Sequence, residues 1–214
     1  MPAFEAEFWV LSPLMQGVTV AIVLVPSALT GLMAGGVSDY FSRKWTISLG
    51  CWIFAVGSAI STGAVKHLGV LILGRCIAGV GEGLFLSAMG VYICEISPKH
   101  LRGTMMLLQQ LFNTGSIAAA FFICYGTVNI PSSLSWRFPF ALQTAISVVV
   151  AIVAPFMPYS LRWLLTKGRR EEAERVLDLR VAPENLEERL ELLSAGAIAR
   201  TDLFSPPPQH RRHL

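Results

Sequence analysis

The chain has 214 residues, of which 53% are hydrophobic and only 14% charged, with a formal net charge of +3. A soluble domain carries about a quarter of its residues charged, so this composition excludes a wholly soluble fold. The modest positive balance shows no basic–aromatic interleaving, which argues against a nucleic-acid surface.

The first residues, "MPAFEAEF", are acidic and lack the basic start of a secretory signal. Residues 1–13 are read as a short extracellular segment. Apolar runs follow at Leu14–Val37, Trp45–Val65, Leu68–Ile93, Thr104–Thr127 and Phe138–Met157. Each is about 20 residues or longer, enough for a helix to cross a hydrocarbon layer of about 30 Å. Pro26 and Pro155 fall within spans, which membrane helices tolerate when neighbours satisfy the freed backbone. The runs show no period-two alternation, so a strand barrel is not indicated. "KHLG" joins spans two and three, and "VNIPSSLSWR" joins spans four and five. Together the runs predict a membrane region over 14–158.

Beyond it the chain is densely charged. "RREEAERVLDLR" and "PENLEERLELL" place apolar residues at helical spacing and predict short amphipathic helices in a cytoplasmic segment, 159–200. The last stretch, 201–214, has three consecutive prolines and no periodicity, and is expected to be disordered. The predicted fold class is an all-α membrane protein with five transmembrane helices and short cytoplasmic amphipathic helices.

Orientation follows from basic residues in the connections. Arg43 and Lys44 follow the first span, Lys99 and Arg102 the third, and Arg162, Lys167, Arg169 and Arg170 the fifth. The other side has only Lys66 and Arg137, with Glu5 and Glu7. The positive-inside rule then puts the N-terminus outside and the C-terminus in the cytoplasm.

Within the spans, Arg75 and Glu82 stand seven residues apart in "LGRCIAGVGEGLFLS". They lie near one helical face, about 10 Å apart along the axis. Gly79, Gly81 and Gly83 between and beside them allow close helix packing, and Gly31 and Gly35 show the same four-residue spacing. Cys51, Cys76, Cys94 and Cys124 lie in or beside apolar runs, without metal or disulfide spacing. No nucleophile–base pair, metal cluster or phosphate loop is present, so neither an enzyme nor a cofactor is expected.

Three charged clusters recur at one membrane face: "GGVSDYFSRK" with Asp39, Arg43 and Lys44; "YICEISPKHLRG" with Glu95 and Arg102; and "PYSLRWLLTKGRR" with Arg162. Carboxylates and guanidinium groups placed there can latch helices together. With Gly74-Arg75 and its glycines, with Tyr92-x-x-Glu95-x-x-Pro98-x-x-x-Arg102-Gly103, and with "SWRFPFALQ", the clusters resemble the major facilitator superfamily. Within it they are most similar to the sugar porters, the fungal ones above all, over roughly Phe8 to Leu193.

The resemblance implies a partial chain: five spans matching helices two to six of twelve, an incomplete N-terminal six-helix half. It implies alternating-access uptake of a sugar, with a proton in some members, at a multi-pass protein of the plasma membrane. It assigns sugar contact to Gln110. Gln109 and Asn113 are further candidates, since amides both donate to and accept from a polyol. It pairs the arginine at Arg75 with an acid on a first helix not matched here, which makes Arg75 a proton-coupling candidate; Glu82 is read first as packing against a polar neighbour, with a proton-coupling site as the alternative. Expected partners are the bilayer, a sugar if a second half completes the site, and, as the alternative function of a membrane regulator or sensor, a full-length transporter. Two departures stand out. Ser42 occupies a glycine position of the first loop motif, and Pro158-Tyr159-Ser160-Leu161-Arg162 lacks the family's glutamate and second proline.

Overall fold

The computed structural model describes residues 13–64, 67–130, 132–169, 171–172 and 175–176. Its helices are α1 (Pro13–Ala21), α2 (Leu24–Phe41), α3 (Arg43–Thr62), α4 (Leu68–Ile96), α5 (Arg102–Thr127), α6 (Leu134–Val153) and α7 (Leu161–Thr166), with 3-10 turns at Lys99–Leu101 and Ala154–Phe156. No strand occurs among the described residues. Five helical stretches are long and apolar enough to span a bilayer: Gly17–Phe41, Arg43–Thr62, Leu68–Ile96, Arg102–Thr127 and Leu134–Phe156. The protein is an all-α, multi-pass integral membrane protein. The chain divides into two compact units after Met157. All five spans belong to the first, and α7 belongs to the second. The amphipathic helices expected beyond it, and the proline-rich end, lie almost wholly outside the described residues.

The helices run past the apolar runs at several ends. The first span continues to Phe41, carrying Asp39 on its last turn, and the fifth begins at Leu134, four residues before Phe138. Hydropathy marks where the chain leaves the apolar layer, whereas the backbone ladder continues until something stops it. Between α1 and α2 the stop is Pro26. It has no N–H to offer the carbonyl four residues back, and the helix opens at Ile22–Val23.

Helix α4 is the centre of the bundle because its glycines open two faces. A methyl on Gly79 would collide with the Val23 carbonyl, and one on Gly83 with the Ser27 carbonyl and the Thr30 hydroxyl, so this face seats the first span. On the other face, a Cβ at Gly81 would stand 2.5 Å from the Gly50 carbonyl oxygen, and one at Gly74 2.8 Å from the Gly57 carbonyl oxygen. There α3 lies backbone to backbone. Without a hydrophobic drive between helices in lipid, such contact supplies van der Waals packing that bulkier side chains would prevent. Gly31 meets Ser87 Oγ at 3.3 Å, while Gly35 faces open space.

Helix α6 closes on α3 through polar pins. Ser48 Oγ donates to the Ala151 carbonyl at 2.7 Å and Ser147 Oγ to the Cys51 carbonyl at 2.8 Å. An apolar cluster of Ile47, Cys51, Ala88, Tyr92, Ala151 and Ala154 fills the space between α3, α4 and the end of α6. All four cysteines are free. Helix α5 differs sharply from the rest: of its residues only Thr127 is buried.

Candidate functional site

The end of α3, the first half of α4 and the start of α6 border a cleft of about 390 Å³, with the α1–α2 break as its fourth wall. Arg75 and Glu82 both line it, with Ser58, Ser61, Phe140 and Gln143. The spacing predicted that the two charges share a face, and the structure places them in one cavity. They make no direct ion pair among the described residues. The Arg75 guanidinium instead sits 4.8 Å from the centre of the Phe140 ring, an arrangement that partly offsets the loss of water around the cation. Its Nε is buried without a hydrogen-bond partner. Glu82 is the one carboxylate among the lining residues. One cation, one carboxylate, two hydroxyls and an amide thus converge in a cavity otherwise walled by apolar groups.

Sequence reasoning did not single out Ser58 or Ser61, and it named Phe140 and Gln143 only as part of the motif "SWRFPFALQ". Gln143 carried a readable signal, as a lone amide in the apolar part of its span. The serines did not, because their role depends on which helices are neighbours.

The three amides singled out for sugar contact are elsewhere. Gln109, Gln110 and Asn113 lie on α5 and are not among the residues lining the cleft. Gln110 and Asn113 are exposed. Gln109 is half-buried, and its Oε1 is enclosed without a hydrogen-bond partner. The structure therefore presents two polar zones, one in the cleft and one along α5.

The opposite end of the bundle carries the charge clamp. Helices α2 and α3 are separated by Ser42 alone, at φ 85° and ψ 150°, a region that is essentially glycine's. This sharp joint brings Arg43 beneath the end of α2, where Nη1 donates to the Ser38 carbonyl at 3.0 Å and pairs with Asp39. Nη2 donates to Glu95 Oε1 at 3.2 Å, and Nε lies 3.2 Å from Oε2. One guanidinium thereby ties the ends of α2, α3 and α4. Lys44, itself buried, donates Nζ to the Pro155 carbonyl at 3.0 Å and adds the end of the fifth span. Cations at these carbonyl ends also meet the negative pole of the helix dipole. Arg102 is exposed and makes no ion pair among the described residues. Arg162 is exposed on α7, in the second unit.

Comparison with known proteins agrees with this architecture. The model of the family "Sugar (and other) transporter" matches residues 5–196. Monosaccharide-sensing protein 2 of Arabidopsis thaliana is 32% identical over 186 residues, covering 86% of this chain and 25% of that protein. Hexose transporter HXT10 of Saccharomyces cerevisiae is 34% identical over 167 residues, covering 78% of this chain and 31% of its own length. A solved structure of the proton:xylose symporter XylE, bound to 6-bromo-6-deoxy-D-glucose, superposes with a TM-score of 0.81 at 21% identity, over 94% of this chain and 48% of that one. The chain thus spans about a quarter to a third of the length of these two relatives. Its five spans, packed around the glycines of α4, and the Arg43–Glu95 clamp occur in a chain that belongs to the sugar transporter family of the major facilitator superfamily.

Proposed function

We propose that this chain contributes to alternating-access uptake of a sugar as part of a sugar-porter fold. The observation that carries the proposal is the family match over residues 5–196, joined to a bundle whose exposed α5 presents Gln109, Gln110 and Asn113. In this reading Gln110 contacts the sugar, with Gln109 and Asn113 beside it, and the enclosed, unpartnered Oε1 of Gln109 accepts a hydroxyl. A completed fold supplies the facing half of the site, as transporters bind at the interface of their repeats. By itself the chain is inactive. The cleft serves coupling: Glu82 takes up a proton, and Arg75 is the charge that responds. The N-terminus lies outside and the C-terminus in the cytoplasm of a cell whose plasma membrane carries the protein.

The test is expression in yeast lacking hexose uptake, alone and fused in frame to the parts of a relative that its matched region does not cover. Uptake by the fusion but not by the chain alone is expected. A surface-exposed fusion without uptake for any monosaccharide would sink the reading. A second reading is favoured by the name of the Arabidopsis relative, a monosaccharide-sensing protein. The chain then binds a full-length transporter and regulates it, and co-purification with such a transporter distinguishes the two.

A further inference from the structure

The second unit carries an aromatic and cationic cluster. In sequence, only Met157 separates it from the last span's 3-10 turn, which ends at Phe156. From Pro158 to Arg170 the sequence holds four basic residues and no acidic one. Tyr159, which stands where the family motif has a glutamate, stacks on Trp163 with ring centres 5.5 Å apart and planes inclined by 12°. The cations gather on these rings: Arg169 lies 5.7 Å from the Tyr159 ring and Lys167 6.0 Å from the Trp163 ring. Arg162 and Lys167 are both exposed. Arg169 pairs with Glu172, but both side chains are about half exposed, which leaves that pair open to exchange for another anion. Ser160 fixes the cluster by accepting from the Trp163 N–H at 3.4 Å and starting α7. Tyrosine and tryptophan prefer the headgroup layer. Four or more basic residues immediately beyond a membrane helix attract anionic lipid. Replacing a family acid with a tyrosine removes a negative charge and adds an interfacial ring at the same position.

We infer that the Tyr159–Arg169 segment is a docking surface for anionic phospholipid headgroups, with Arg162, Lys167 and Arg169 binding the phosphates and the Tyr159–Trp163 stack seated at the headgroup level. The occupant is the bilayer that already surrounds the spans. Its negative surface complements the cluster, and no separate partner is needed to bring it there.

The test uses the full chain in vesicles of phosphatidylcholine, with trace spin-labelled phosphatidylserine or spin-labelled phosphatidylcholine as probe. The fraction of immobilised label gives the relative affinity. The wild type is expected to prefer phosphatidylserine roughly fivefold, and high salt should erase most of that preference. The triple variant R162Q/K167Q/R169Q should lose it, while R137Q, at the opposite membrane face, should keep it. The charge-conserving variant R162K/K167R/R169K guards against a folding defect and should also keep the preference. An equal preference in wild type and R162Q/K167Q/R169Q overturns the proposal. So does loss of thermal stability by that variant in lipid-free detergent with the lipid preference intact, which would assign the cations to an acidic protein segment.

Discussion

Arg43 and Glu95, 52 residues apart in sequence, meet through two guanidinium nitrogens, each 3.2 Å from a carboxylate oxygen. Their side chains are only 11% and 7% exposed. Removing one partner leaves a largely buried charge uncompensated, so Arg43→Ala is expected to destabilise the bundle by about 3 kcal/mol. Asp39, with 69% of its side chain exposed, meets the same guanidinium in solvent, and Asp39→Asn is expected to cost under about 1 kcal/mol. Thermal unfolding of the purified variants in detergent compares them. Equal losses at both positions would show that Glu95 is not the anchoring partner.

Ser42 is the strained element behind that clamp. Its backbone sits at a positive φ with no side-chain compensation, since Oγ is buried without a hydrogen-bond partner. Ser42→Gly is expected to stabilise the chain by about 1–2 kcal/mol. Ser42→Val, which adds a branched side chain in the same buried joint, is expected to destabilise it. A glycine variant that melts at or below the wild type would contradict the strain.

The glycines of α4 are distinguishable by what a methyl would meet. At Gly81 the neighbours are backbone atoms of Gly50 and Phe54, which have no flexible end to yield. Gly81→Ala is expected to cost about 1–3 kcal/mol through overpacking. At Gly115 in α5 nothing lies within 4 Å, and Gly115→Ala is expected to stabilise by up to about 1 kcal/mol through helix propensity. The pair is read in one melting experiment, and a Gly81 variant as stable as the Gly115 variant would refute the backbone contact between α3 and α4.

Much of this bundle was legible in the sequence, and the limits have physical causes. Length and hydropathy gave five spans because lipid demands long runs of apolar residues with internally satisfied backbones. Gly79 and Gly83 announced a packing face through their spacing along one helix. The second face of α4 was not readable, because it needs Gly50 and Gly57 of another helix at matching depth. The same holds for Lys44 and the Pro155 carbonyl, a contact across 111 residues. In the site, Arg75 and Glu82 share a helix, and their common face followed from periodicity. Ser58, Ser61 and Gln143 join them from helices whose adjacency only the fold supplies. Polar amides on α5 could be recognised as unusual, but the exposure of nearly the whole helix could not.

The cleft and the α5 amides should separate coupling from binding. In a fusion that transports, Glu82→Gln is expected to abolish accumulation against a gradient while leaving sugar exchange across the membrane near wild type. Radiolabel counterflow, set beside net uptake in the same vesicles, reads both. Loss of both activities in a correctly inserted Glu82→Gln variant would place Glu82 in the sugar path or the packing, not in coupling.

This chain is proposed to be a working part of a sugar porter. The most direct measurement is hexose uptake by a chimaera in which residues 5–196 replace the matching third of the yeast hexose transporter, expressed in yeast lacking hexose uptake. Saturable uptake is predicted, with Gln110→Ala raising KM about tenfold through the loss of about 1.4 kcal/mol of sugar binding. A chimaera that reaches the cell surface and takes up no hexose, or one whose KM is unchanged by Gln110→Ala, would contradict it.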